Sequence, residues 1–433
     1  MSFNKLLQQS LVWRGFYFFT VLLLNIVISR TLKADGSGGL YFSTIIFNFI
    51  LLIVSFNLES GFTYFASSNK IPFNSLALVG TIWTAAVSII FIPITYFSLL
   101  NTSILHGITA FQLTYNASTF IIGVMLTSYF TVLFYSKKDF FIPNMWLGCS
   151  NLLLFVLFWI GAVNHWENQH LVNLFFIFYP IQGVGLIALF FYINKQEGHI
   201  KLPSGTDFML LIRYSAITLI SNLAFNALYR IDYLYVNKFC NLSDLGNYIQ
   251  AAKLGQMLLI IPQILASAIY PQIASGESQE YVKESIITLF RLFLQLFSLL
   301  FILLFLVGKY LFPYIFGSTF SSMYMPMLII IPGLFSLSGL ALLSAFFSGK
   351  GKAKINMEGA LIGLVLTLVC DWFLVPLYGI NAAAAISTLS YFSNFGYSLW
   401  HFNRLYPFKT KDLFAFSKND WKWVVGILTN KSS

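Results

Sequence analysis

Charged residues are scarce in this sequence. Of 433 residues, 9% are Asp, Glu, Lys or Arg, whereas 58% are hydrophobic and 18% are aromatic. A soluble globular domain carries roughly a quarter charged residues, because polar side chains have to cover much of its exterior. The scarcity of charge therefore excludes soluble folds and indicates a chain whose solvent is a lipid bilayer.

Cysteine and histidine are also rare and scattered. The three cysteines (Cys149, Cys240 and Cys370) and the five histidines show no spacing typical of a disulfide framework or a metal site. We therefore expect no metal and no cofactor. The net charge of +10 is spread over short loops rather than gathered in a basic patch, so we do not expect nucleic acid as a partner.

Long apolar runs separated by short connections fill most of the chain. A hydrocarbon core of about 30 Å needs roughly 20 apolar residues per helix. On that measure twelve spans are predicted, near 11–30, 40–66, 76–99, 113–135, 141–163, 170–193, 208–237, 247–273, 286–312, 322–347, 355–376 and 379–403. Continuous apolar runs favour helices over barrel strands, which alternate in short pieces. The first run is too long for a cleaved signal core, and Arg14 interrupts it, so we expect it to be retained. The sequence thus predicts an all-α polytopic membrane protein with about twelve transmembrane helices.

The distribution of lysine and arginine predicts the orientation. With the N-terminus in the cytoplasm, four basic residues fall in outer loops and two within helices, which leaves 19 of the 25 on the inner side. Inner loops of membrane proteins are enriched in Lys and Arg. We therefore predict that both termini are cytoplasmic.

A loop near 194–207, containing Gly198, Pro203 and Gly205, divides the spans into two sets of six. We predict an N-terminal six-helix lobe over 1–200 and a C-terminal six-helix lobe over 201–405. Residues 406–433 mix aromatic side chains with lysines. This composition is typical of an amphipathic segment on the inner leaflet, so we predict a cytoplasmic amphipathic tail.

Ionisable groups within the apolar spans provide the candidate site. Such groups cost at least about 2.5–3.5 kcal/mol on insertion scales, so they usually face a cavity or a partner. Several belong to polar stripes at helical spacing; the stripe on span 2 is Thr44, Asn48, Ser55, Glu59 and Thr63. As cationic and amide residues of a substrate-binding cavity we predict Arg14, Asn222, Asn226, Arg230, Gln250, Lys253 and Gln256. Glu59 and Asp232 are the predicted coupling or gating residues. A plainer interpretation stays open: polar groups in membrane helices often only join helices, and Arg14 can simply reach the interface.

Several motifs, most of them in the second half, resemble a known family. They are Asp232 in span 7, the Gly-x-Tyr-x-x-Ala stretch over 246–251, Pro271 at the end of span 8, the Phe-Gly-x-x-Phe element over 316–320 and the Pro-x-Tyr-Gly-x-x-Ala-Ala stretch over 376–383. In the first half, Arg30 to Tyr41 resembles the family's Arg-x-Leu-Gly…Gly-x-Tyr entry, with Lys33 in the usual glycine place. Together they resemble the Wzx-type oligosaccharide flippases, the polysaccharide transporters of the multidrug/oligosaccharidyl-lipid/polysaccharide (MOP) exporter superfamily.

The resemblance implies two six-helix lobes around a central cavity, as in MATE transporters, and transport by alternating access. It implies a bacterial inner membrane as the location and an undecaprenyl-diphosphate-linked oligosaccharide as cargo, with the bilayer, a glycan polymerase and chain-length machinery as partners. The cationic candidates suit a diphosphate. A multidrug antiporter of the same superfamily is the alternative, but it should favour acidic cavity residues. A membrane glycosyltransferase or polymerase would need a large outer loop or a catalytic domain, so we do not expect an enzyme.

Overall fold

The computed structural model describes residues 3–99, 109–194, 201–263, 279–350, 352–414 and 420, and over these ranges the chain is helical and contains no strand. The helices are α1 (Phe3–Val54), α2 (Leu58–Ser67), α3 (Phe73–Leu99), α4 (Ala110–Ser136), α5 (Phe141–Val163), α6 (Asn168–Ile193), α7 (Gly205–Arg230), α8 (Asp232–Phe239), α9 (Leu242–Leu258), α10 (Gln279–Phe316), α11 (Tyr324–Gly349) and α12 (Ala353–Leu405). Short 3-10 helices cover Ser318–Met323 and Thr410–Leu413. The predicted all-α class is confirmed.

Nine helices within the described ranges are long and apolar enough to cross a membrane. Two of them, Gln9–Val54 and Lys354–Leu405, contain 46 and 52 residues. Because about 20 residues suffice for one crossing, each of these two has the length of two spans. Large apolar side chains lie exposed along the spans; Leu299 and Leu306 of α10, for example, are each 67% exposed. The chain is therefore a multi-pass membrane protein.

Each of the two longest helices is interrupted at one residue. The interruption in α1 is at Lys33 (φ 58°, ψ −175°) and that in α12 is at Gly379 (φ 62°, ψ −145°). Backbone of this kind is accessible to glycine and costs other residues of order 1–3 kcal/mol. Lys33 therefore adopts a conformation that suits glycine, at the position where the family pattern has glycine.

The described chain divides into two compact units. The first contains Met1–Leu32 and Leu40–Leu223, and the second contains Lys33–Gly39 and Ala224–Ser433. In the first unit, α4 packs along α6 through aromatic side chains, among them Phe130 and Phe190, whose ring centroids lie 5.3 Å apart. The α2 helix packs on α4 beside them, with Phe62 edge-on to Tyr129 at 5.1 Å.

In the second unit, α11 packs on α12 and on α9, and the short segment Lys33–Gly39 docks beside α9. The amide of Ala34 donates to the Thr319 hydroxyl at 3.1 Å. The backbone of the segment, at Ala34 and Gly38, lies directly against the backbone of α9 at Gly246. A Cβ on Gly246 would lie 2.0 Å from the Ala34 carbonyl oxygen. The absence of side chains at these two glycines is what allows the close approach.

The compact units do not divide where the sequence places the lobe boundary. Most of α7 groups with the first unit, although the prediction puts residues from 201 onward in the second lobe; the two lobes stay a prediction. Parts of three predictions lie outside the described residues: linker residues 195–200, the end of span 8 with Pro271, and tail residues 415–419 and 421–433. Of the predicted tail, residues 406–414 and Asp420 are described; Asp420 is buried and ion-pairs with Arg291 of α10 at 2.6 Å.

Candidate functional site

A cavity of about 380 Å³ lies within the second unit, and we call it the second-unit cavity. Its walls come from the end of α7, the start of α8, α9, α11 and both halves of α12. The polar residues lining it are Asn226, Tyr229, Arg230, Asp232, Tyr233, Tyr248, Gln256, Gln263, Ser344, Asn356, Ser387, Tyr391 and Asn394. Apolar residues line it as well, most of them on α11, including Leu334, Leu337 and Leu340, and others such as Phe225 and Leu259 on the remaining walls. The cavity therefore combines polar and apolar side chains, with α11 as its most apolar wall.

The junction of α7 and α8 places two charged side chains at this cavity. Helix α7 ends at Arg230 and α8 starts at Asp232, with Ile231 between them. Both Arg230 and Asp232 line the cavity, although residues two apart on a regular helix point to different faces. The junction is thus a local feature that brings a cation and an anion to one site.

Asp232 is buried, 3% exposed, and its carboxylate is fully engaged by neighbouring donors. The Tyr248 hydroxyl donates to Oδ2 at 2.5 Å, and the Ser387 hydroxyl donates to the same atom at 2.8 Å. The Tyr233 amide donates to Oδ1 at 2.9 Å. These three hydrogen bonds offset the free-energy cost of removing the carboxylate from water. The bonds tie α8 to α9 and to the second half of α12.

Arg230 differs from Asp232 because no carboxylate of the described residues lies within ion-pair distance of its guanidinium. The side chain is half-buried at the cavity wall. A guanidinium presents five donors in a rigid fork and matches phosphate oxygens bidentately. The second-unit cavity therefore offers an anion a cationic group.

The amide residues predicted for the site, and Lys253, lie in three places, two of them in the second unit. Asn226 and Gln256 line the second-unit cavity, together with Arg230. Gln250 and Lys253, on the same helix as Gln256, are not among its lining residues. Gln250 is 2% exposed, and its Oε1 atom lacks a hydrogen-bond partner among the described residues. The structure thus brings three of the seven predicted binding residues together at the cavity.

Asn222 belongs to a polar cluster of the first unit, at a break between α1 and α2. Phe56 and Asn57 adopt left-handed backbone there, with φ of 53° and 51°. The Asn222 amide donates to Asn57 Oδ1 at 2.9 Å, and the Asn57 amide donates to Thr218 at 2.9 Å and to Ser60 at 3.1 Å. Asparagine tolerates left-handed backbone better than most residues. The cluster stabilises the break and joins α2 to α7.

Two further predicted residues, Arg14 and Glu59, also lie in the first unit. The Arg14 guanidinium stacks over Tyr135 at 4.6 Å and Phe140 at 5.5 Å, an arrangement worth about 1 kcal/mol. Glu59 lies in the first turn of α2, where a carboxylate is favoured by the helix dipole. The predicted stripe that includes Glu59 assumed one continuous helix over span 2. The break after Val54 interrupts that register, so helical spacing does not place Glu59 on one face with Thr44 and Asn48, and its coupling or gating role stays a prediction.

The sequence prediction did not include several residues on α12 that face this cavity. Ser387, Tyr391 and Asn394 line it and recur at steps of four and three, which places them on one helical face. Applying the same stripe search to span 12 would have found them. No group of three or more His, Cys, Asp or Glu that could hold a metal ion occurs among the described residues.

Comparisons with known proteins place the fold. No protein-family model and no curated protein matches the sequence. Among solved structures, the lipid II flippase MurJ in its inward closed conformation is similar, with a TM-score of 0.71 at 14% identity over 98% of this chain and 93% of that chain. An inward-facing multidrug resistance MATE family transporter of the MOP superfamily gives a TM-score of 0.69 at 13% identity, over 94% of this chain and 95% of that chain.

A third similar structure is a MOP superfamily transporter from Pyrococcus furiosus, described as having a binding pocket of reverse polarity. Its TM-score is 0.60 at 12% identity, over 99% of this chain and 97% of that chain. Sequence identities this low support a conclusion about the fold only. The chain therefore has the fold of the MOP superfamily transporters.

Proposed function

We propose that this protein is a flippase that moves undecaprenyl-diphosphate-linked oligosaccharide units from the cytoplasmic to the outer leaflet of a bacterial inner membrane by alternating access. The observation that carries the proposal is the Arg230 guanidinium, which lines a polar cavity with no carboxylate within ion-pair distance among the described residues. A diphosphate is a ligand that such a group binds well. Amides and phenols around it suit the hydroxyl groups of sugars.

The fold and the cargo fit each other. The outer faces of helices such as α10 are apolar. The polyprenyl chain therefore stays in the bilayer beside them while the protein carries the polar head. The fold shared with a lipid II flippase supports a lipid-linked cargo. We propose a transporter rather than an enzyme, with both termini cytoplasmic, acting in the assembly of O-antigen, capsule or a similar surface glycan. A glycan polymerase and chain-length machinery are the partners that would use its product.

A multidrug antiporter is the second candidate, and Asp232 is the observation that favours it. This carboxylate lines the same cavity, and an acidic group is what an organic cation would require. However, its oxygens already accept bonds from Tyr248, Ser387 and the Tyr233 amide, and Arg230 would repel a cationic drug. The flippase therefore agrees better with the charges at the cavity.

The test is deletion of the gene, followed by analysis of lipid-linked glycans on each face of the inner membrane. We expect intermediates to accumulate on the cytoplasmic leaflet and to disappear when the wild-type gene is restored. Arg230→Ala and Lys253→Ala should each fail to restore transport while inserting normally in the membrane. Arg213→Ala is the matched control for Arg230, since Arg213 lies on the same helix but is exposed.

Two results would contradict the proposal. Unchanged glycan display without a trapped intermediate would exclude flipping, and lowered drug resistance in the same strain would then favour the antiporter. Normal surface glycan in both Arg230→Ala and Lys253→Ala would contradict the cationic binding site while leaving the flippase function intact.

A further inference from the structure

We propose that the second-unit cavity is a subsite for a single pyranose ring of the cargo. The proposal rests on the flippase function above and assigns one part of the cargo to one place in the fold. Three features of the cavity carry it: its size, the arrangement of apolar and polar groups on its walls, and its charge.

The size of the cavity suits a small rigid group. Its volume of about 380 Å³ lies near the lower end of the range for small-molecule pockets, about 300–1,000 Å³. A polyprenyl chain or a whole oligosaccharide exceeds such a volume, whereas one sugar ring with its substituents fits. The cavity therefore accommodates a segment of the cargo rather than all of it.

The wall along α11 is mostly apolar, whereas the other walls carry most of the polar groups, interleaved with apolar residues such as Phe225 and Leu259. Leu334, Leu337 and Ala341 of α11 line the cavity at steps of three and four, so they share one helical face. Asn226 and Tyr229 of α7 and Gln256 of α9 line it from other helices. A pyranose ring has apolar C–H faces and a rim of hydroxyls, which matches this combination of surfaces. The walls are less suited to a fully apolar or a fully charged ligand.

The polar groups both donate and accept hydrogen bonds. Each side-chain amide has two donors and an acceptor oxygen, and each phenol both donates and accepts. A phosphate only accepts hydrogen bonds, so the acceptor oxygens of the cavity wall would remain unsatisfied against it, at a cost in free energy. Sugar hydroxyls use both kinds of group. This chemistry separates the amide–phenol wall from Arg230, which suits an anion.

The charge of the cavity disfavours an organic cation. Asp232 is 3% exposed and its carboxylate is bonded by Tyr248 and Ser387, whereas Arg230 lines the wall as a cation. A neutral ring beside a diphosphate meets no charge penalty here. The occupant that agrees with size, surface and charge together is therefore a sugar.

The experiment measures binding of two purified lipids to the protein in detergent. One is the lipid-linked glycan extracted from cells lacking the gene, and the other is the same polyprenyl diphosphate after enzymatic removal of its sugars. The variants Gln256→Met and Tyr229→Phe each remove polar groups from the wall at nearly constant volume. We expect each to weaken binding of the glycosylated lipid by about 2- to 12-fold, the loss of one hydrogen bond, and to leave binding of the sugar-free lipid unchanged.

Controls separate this effect from a general defect. Gln112→Met makes the same chemical change in the first unit, where Gln112 bonds to Asn173, and should change neither affinity. Ala341→Trp narrows the cavity from the side of α11 and should weaken binding of the glycosylated lipid more than binding of the sugar-free lipid. Should Gln256→Met or Tyr229→Phe fail to fold, this steric variant still decides the question.

The outcomes distinguish the two proposals. Wild-type protein that binds neither lipid, from a strain that traps no intermediate, would refute the flippase function. Protein that binds and transports the glycan, but whose cavity variants bind both lipids as wild type does, would refute the subsite alone. Equal weakening of both lipids by Gln256→Met or Tyr229→Phe would also refute it, because these amide and phenol groups would then be contacting the diphosphate.

Discussion

Replacing Gly38 with alanine tests the docking of Lys33–Gly39 within the second unit. A Cβ at Gly38 would lie 2.6 Å from the Leu242 carbonyl oxygen and 2.8 Å from the Gly246 amide nitrogen. Both neighbours are backbone atoms, so neither can rotate away as a side chain could. The neighbouring Gly39 is the matched control, because a Cβ there would meet no atom within 4 Å.

The expected magnitude follows from two opposing effects. Overpacking of this kind costs about 1–3 kcal/mol, and alanine recovers up to about 1 kcal/mol of helix propensity relative to glycine. Gly38→Ala should therefore destabilise docking by roughly 0–3 kcal/mol, while Gly39→Ala should be neutral or stabilising by up to about 1 kcal/mol. The two variants should differ by about 1–3 kcal/mol, which is roughly 5- to 150-fold in the ratio of docked to undocked segment.

The assay is the rate at which a cysteine at position 34 reacts with a maleimide, in a protein whose native cysteines are replaced by serine. Ala34 is 1% exposed, so the reagent can reach this position only when the segment separates. We expect Gly39→Ala to leave the labelling rate unchanged or to lower it, and Gly38→Ala to react roughly 5- to 150-fold faster than Gly39→Ala. Equal labelling rates in the two variants would refute the close packing on which the reasoning depends.

Three further predictions concern single residues. Lys33→Gly should raise the thermal stability of the purified protein by up to about 1–3 kcal/mol, because glycine adopts this backbone without strain; an unchanged or lower melting temperature would contradict it. Tyr248→Phe should cost about 1.5–3 kcal/mol in the same measurement, since it removes a bond to the Asp232 carboxylate, and a neutral effect would show that this bond adds no net stability. Arg291→Ala and Asp420→Ala should each cost up to about 3 kcal/mol, with the double variant losing less than their sum, because the ion pair is largely buried; strict additivity would argue against the pair.

The spans could be predicted from the sequence because a bilayer imposes a length on apolar runs. Each of the twelve predicted segments overlaps a described helix, although the end of span 8 lies outside the described residues. Arg230, Asp232 and Gln256 could also be selected, since polar residues within apolar helices are rare enough to stand out. Their shared location at one cavity could not be predicted from helical spacing, because Arg230 and Asp232 are two residues apart and Gln256 lies on another helix.

The break at 55–57 and the unusual backbone of Lys33 could not be predicted from residue type, whereas the interruption of α12 falls at a glycine, Gly379. Neither glycine nor proline marks the break at 55–57, and the left-handed Asn57 depends on bonds to Thr218 and Asn222 of α7. Lys33 carries no local signal for its backbone either; only the resemblance to a family pattern with glycine there suggested a special position. In both cases contacts distant in sequence override the local preference for helix.

The hydrogen-bond partners of Asp232 could not be predicted from sequence patterns for the same reason. Ser387 is 155 residues away in the chain, and Tyr248 is 16 residues away on the next helix. Helical spacing relates residues within one helix and says nothing about which helix packs against it. The sequence could therefore identify a buried carboxylate as a candidate, but not that its oxygens are already engaged.

The most direct test of the flippase function is translocation by the purified protein in liposomes. Lipid-linked oligosaccharide with a labelled sugar is placed in both leaflets, and an impermeant reagent that destroys the label from outside reports how much reaches the outer leaflet. We predict that wild-type protein exposes the whole pool, whereas liposomes with Arg230→Ala protein expose only the outer half. If wild-type protein exposes no more than protein-free liposomes under an imposed ion gradient of either direction, the flippase account is contradicted.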